Sequence, residues 1–162
     1  MSSSLPNWHP FFVHFPVALY VTAVGCDLAL WIRFRRAWLD RAAVLLYGLA
    51  AVASGAAAIS GKLAAEEMAE TLTPEINDAV ALHGDWAFFS VVSLFVVAAM
   101  RFDSAWRDRS RDDPSIHRMR LAAATASIIV CAVVINTAAH GGELVYRYGV
   151  AVRDHGIMPS RR

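Results

Sequence analysis

Four long stretches of this chain carry almost no charge, and that narrows what it can become. Residues 42–61, 86–100 and 121–139 contain no Asp, Glu, Lys or Arg, and residues 10–32 contain only Asp27. A membrane span needs roughly 20 mostly apolar residues at about 1.5 Å rise each. Three runs reach that length as they stand, and the third does so once 82–102 is counted. The reading is all-α: an integral membrane four-helix bundle, up-and-down, forming one transmembrane domain over 1–162. Its helices are expected near 10–33, 40–68, 82–102 and 119–140. A hydrophobic share of 57% against 18% charged residues agrees with this and is unusual for a soluble domain of the same size.

The charges between the runs predict an orientation. The first link holds Arg33, Arg35, Arg36 and Arg41, and the third holds Arg101, Arg107, Arg109, Arg111, Arg118 and Arg120. The second holds Glu66, Glu67, Glu70, Glu75 and Asp78 against Lys62 alone. Positively charged loops stay in the cytoplasm, so both termini and the acidic link are expected on the outer side of the membrane. Arg147, Arg153, Arg161 and Arg162 in the tail are outvoted by those ten arginines. Because the arginines are juxtamembrane, no nucleic-acid partner is implied; the expected surroundings are membrane lipid. Residues 1–8 have no Lys or Arg, so the first apolar run reads as a retained helix and not as a signal peptide.

Several local features refine the picture. Helix two is expected to continue to Met68 and break at Thr73-Pro74, with a short amphipathic turn over 75–82 before helix three. Gly141-Gly142 is expected to end or kink helix four, leaving 143–152 as an interfacial tail helix. The small residues of helix two, from Gly48 to Gly61, predict close helix packing and leave room for a flat macrocycle. Asp27 is expected to pair with Arg33 or Arg35 near a membrane end. Cys26 and Cys131 read as buried small residues without a paired spacing.

Histidine placement carries the functional argument. Five of the six histidines stand at segment ends that the charge pattern puts on the outer side: His9, His14, His83, His140 and His155. His117 lies among arginines on the inner side and reads as a loop residue. Histidine is costly in lipid and usually functional there. Neutral imidazoles from three helices at one depth suit two kinds of chemistry. A haem b takes two axial imidazoles from facing helices. In a four-helix bundle helices one and three are diagonal, so His14 with His83, or His14 with His140, is expected to hold the iron. His9 is a further candidate, toward a second haem or toward propionates, and Arg147 and Tyr146 are placed to meet propionates. The second chemistry is a bare copper, zinc or iron ion on the same histidines, with Asp85 and Glu143 as ligands or as acceptors that orient the rings.

The same residues resemble a known family. His9-Pro10-Phe11-Phe12-Val13-His14-Phe15-Pro16 is similar to the opening motif of the bacterial membrane family called domain of unknown function 2231. His83-Gly84-Asp85-Trp86 resembles its third-helix motif, and His140-Gly141-Gly142-Glu143-Leu144-Val145-Tyr146 resembles its closing one. The resemblance spans about 9–152. Some relatives carry this region fused to segments that look like c-type cytochromes, which implies a place in redox chains.

Three expectations follow. The first is a cytochrome-b-like electron carrier with one or two haems b near the periplasmic side, serving a quinol or another redox protein. The second is a metal-binding membrane carrier or sensor. The third is a structural subunit of a homo-oligomer or larger complex. No nucleophile–base arrangement or phosphate loop is present, so no enzyme activity is assigned.

Overall fold

The computed structural model describes residues 8–32, 36–107 and 114–150. Five helices follow in order: α1 His9–Phe12, α2 His14–Ile32, α3 Ala37–Met68, α4 Pro74–Arg107 and α5 Pro114–Tyr146. There is no strand among the described residues. In hydrocarbon, backbone polar groups find no water, so a single apolar run satisfies them within its own helix. Four helices are long and apolar enough to cross a membrane, α1 and α2 together forming the first span.

That first span is interrupted for a reason written in the sequence. Pro10 sits in the first turn of α1, where its missing N–H costs nothing. Pro16 also lacks the N–H that would bond to the Phe12 carbonyl, and the helix loosens at Val13 before resuming at His14.

The helices run up and down. α2 packs on α3, α3 on α4 and α4 on α5, while a narrower α2–α5 contact closes the ring. α2 and α4 therefore face each other across the diagonal. One end of the bundle carries His9, His83 and His140; the other carries Asp40, Arg101 and Arg120.

Between lipid-bathed helices there is little hydrophobic driving force, so close fit and interhelical hydrogen bonds hold the bundle. The inward face of α3 is Ala43, Tyr47, Ala50, Ser54 and Ala57, a repeat of four and three that suits a left-handed seam. The two larger rings in the middle, Tyr20 and Tyr47, meet edge-on at 5.4 Å. Tyr20 donates its hydroxyl proton to the Ser127 carbonyl at 2.9 Å, tying α2 to α5. Cys26 and Cys131 pack against this core. Gly48 and Gly55 do not face it; a β-carbon on either would meet nothing within 4 Å. The small residues that matter for packing are the alanines.

Two expectations about helix ends are corrected. The stretch 75–82 is no separate turn, because α4 is continuous from Pro74. Gly141-Gly142 does not stop the fourth span either: α5 runs through both glycines to Tyr146. Where water is scarce an unmade backbone bond costs more than the roughly 1 kcal/mol of glycine in a helix. The stop comes later, at Gly149, whose φ of 65° is left-handed and whose N–H bonds to the Val145 carbonyl at 3.1 Å. Of the expected tail helix 143–152, residues 143–146 are the last turn of α5, and 151–162 lie outside the described residues. His117 falls in the first turn of α5 and not in a loop.

Candidate functional site at the histidine end

Their spacing decides which way the first two histidines face. His9 and His14 are five residues apart, which on an ideal helix is about 140° of rotation. His9 turns toward α3, where its Nδ1–H points between the Ala57 carbonyl at 3.0 Å and Ser60 Oγ at 3.2 Å. His14 is exposed, its Nδ1–H donated to the Pro10 carbonyl one turn back at 2.6 Å. The structure therefore brings His9, and not His14, to the other rings.

His83 of α4 is the ring that His9 meets. Their centres are 6.4 Å apart and their planes cross at 73°. His83 Nδ1 is buried without a hydrogen-bond partner among the described residues. Each of the two rings sits over a glycine. A β-carbon on Gly61 would fall 2.7 Å from His9 Cε1, and one on Gly141 would fall 3.0 Å from His83 Cε1. Gly141 thus serves as a seat for an imidazole inside a continuing helix.

His140 belongs to the same end, within electrostatic reach of His83. It stacks on Trp86, with ring centres 6.1 Å apart and planes 18° from parallel. Its Nδ1 lies 4.0 Å from Glu143 Oε2, too long for a hydrogen bond. Glu143 instead accepts a 2.6 Å bond from Arg147, whose guanidinium is held protonated above its ordinary range by that contact. Arg147 also covers the ring of Tyr148 at 5.3 Å. Asp85 is exposed and Tyr146 is 93% exposed, so neither is gathered to the rings. Arg153 and His155 lie outside the described residues. Just below the rings, Ser90 and Thr137 hydroxyls bond at 2.8 Å, and Thr137 reaches the Trp86 carbonyl at 3.1 Å. A cavity of about 310 Å³ adjoins His140, lined by Glu75, Asp78, Leu82, Glu143 and Tyr148.

A family model described as "Predicted membrane protein (DUF2231)" matches residues 6–154. The chain belongs to the DUF2231 family. No curated protein and no solved structure matches it.

The opposite end of the DUF2231 bundle holds a second polar cluster that the sequence did not single out. Arg101 of α4 is only 2% exposed. Its Nη2 donates to Asp27 Oδ1 at 2.7 Å and to Asp40 Oδ1 at 3.0 Å. Arg120 reaches Asp40 Oδ2 at 3.2 Å, and Tyr47 donates to Asp27 Oδ2 at 3.0 Å. All four helices are joined by this network. Asp27 therefore pairs across the diagonal with Arg101; the expected partners Arg33 and Arg35 lie outside the described residues. The available signal was slight: Asp27 is the lone charge of its run, and Arg101 is the first charge after another.

Proposed function

We propose that this protein is a multi-pass electron carrier of the bacterial inner membrane that holds a haem b between His9 and His83. In this reading the arginine end faces the cytoplasm and the histidine end faces outward. The observation that carries it is the 6.4 Å separation of the two ring centres. Two imidazoles on opposite sides of one metal, each with a bond of about 2 Å, stand with centres roughly 6 Å apart. The hydrogen bond from His9 Nδ1–H to the Ala57 carbonyl is the kind that fixes a ligating histidine, leaving Nε2 as the lone-pair nitrogen. Gly61 and Gly141 hold both rings in place by steric closeness.

Donor count favours haem over a bare ion. Zinc and copper take three or four protein ligands, whereas a haem iron takes one from each side. Among the described residues no three His, Cys, Asp or Glu side chains are grouped to hold a metal ion. His9 and His83 would supply the nitrogen donors to a haem iron, although no preformed slot includes them, the adjoining 310 Å³ cavity touching neither ring. A bound haem supplies one-electron redox chemistry; the chain supplies donors, orientation and a low-dielectric surrounding. Its partners in this reading are a quinol or another redox protein.

Protein purified in detergent from cells supplied with a haem precursor tests this. A Soret band that shifts on dithionite reduction is expected. Stoichiometric copper or zinc with no such band would replace the haem reading by a bare-ion one.

A further inference from the structure

At the arginine end a groove of about 920 Å³ opens along α3, reaching α2, α4 and α5. Its polar end is lined by Asp27, Asp40, Arg36, Arg41, Arg101 and Arg120. Four arginines against two aspartates leave two positive charges. Arg101 and Arg120 are held by the aspartates, whereas Arg36 and Arg41 make no ion pair among the described residues. Arg36 is also the N-cap residue of the 32-residue α3 and gives it no side-chain cap, so the positive end of that helix opens on the same place. Arg101, one of the lining residues, is buried and its Nε–H has no partner among the described residues.

The rest of the groove is apolar. Leu45, Leu49 and Val52 continue from Arg41 along one face of α3 at helical spacing, and they are 62%, 46% and 67% exposed. From Arg41 to Val52 the helix rises about 16 Å, close to the depth of one leaflet's hydrocarbon. A cationic end joined to an apolar stripe one leaflet deep is complementary to an acidic amphiphile lying along the membrane normal.

We infer that this groove seats one anionic phospholipid, with its phosphodiester at Arg36 and Arg41 over the start of α3 and an acyl chain along Leu45, Leu49 and Val52. The site stands apart from the histidine end and does not depend on what that end binds.

Native mass spectrometry of the full chain, released from micelles doped with either phosphatidylglycerol or phosphatidylcholine, tests it. One phosphatidylglycerol per chain is expected to survive activation that strips phosphatidylcholine. The R36Q/R41Q variant is expected to lose roughly thirtyfold in that preference. V52W, which fills the apolar stripe while keeping both arginines, is expected to weaken retention with the thermal midpoint unchanged. Excess inorganic phosphate is expected not to displace the lipid. Equal retention of both lipids, full retention by R36Q/R41Q, full retention by V52W, or displacement by phosphate would each overturn the proposal, the last by showing that the anion alone is what binds.

Discussion

The imidazole of His83 lies where a side chain on residue 141 would begin, 3.0 Å from the β-carbon position of Gly141. Gly61 stands in the same relation to His9, at 2.7 Å. A β-carbon at Gly61 would clash outright with His9, and one at Gly141 would crowd His83 more tightly than most real contacts, so both positions favour glycine. Two rings held against two helix backbones, on different helices, give the histidine end a defined shape.

Glycine-to-alanine substitutions should therefore divide by position. Gly55 faces open space, and Gly55→Ala is expected to stabilise by up to about 1 kcal/mol through helix propensity alone. Gly61→Ala gains the same propensity but drives into His9, and is expected to destabilise by about 1–3 kcal/mol. Thermal unfolding of the two variants in one detergent gives the comparison, and equal signs would contradict it.

The buried ion network predicts a large effect at the other end. Arg101→Met leaves Asp27 and Asp40 facing each other without their shared cation, and is expected to cost about 3–5 kcal/mol. Arg101→Met with Asp27→Asn should cost less than the sum of the single changes, since the two side chains act as one unit. Denaturant titration of the three variants measures this coupling.

Orientation yields a third expectation. A reporter active only outside the cytoplasm, inserted in the link at 69–73, should be active. The same reporter inserted at 108–113 should be silent. The reverse pattern would place the histidines on the cytoplasmic side.

What could be seen in the sequence, and what could not, follows from where water is. Charges vanish from a bilayer core, so the four spans were visible as gaps between charged residues. Rules for helix ends presume a solvated terminus, and at Gly141 that presumption failed: the helix continued because stopping in lipid is costly. Facing was hidden as well. His9 and His14 belong to one motif, and their five-residue spacing turns the first inward and the second outward. Arg101 looked like any loop arginine beside Arg107 and Arg109. It is buried because the diagonal packing of α2 and α4 sets it opposite Asp27, a relation that separation of 74 residues does not advertise.

The inward turn of His9 and the outward turn of His14 make the central claim testable in one comparison. Absorption spectra of the wild-type chain, His9→Ala and His14→Ala, purified alike and reduced with dithionite, should show the Soret band in wild type and in His14→Ala. In His9→Ala the band should be lost or shifted to that of a haem missing one axial ligand. A band lost from His14→Ala and kept in His9→Ala, or no band in any of the three, would contradict the account.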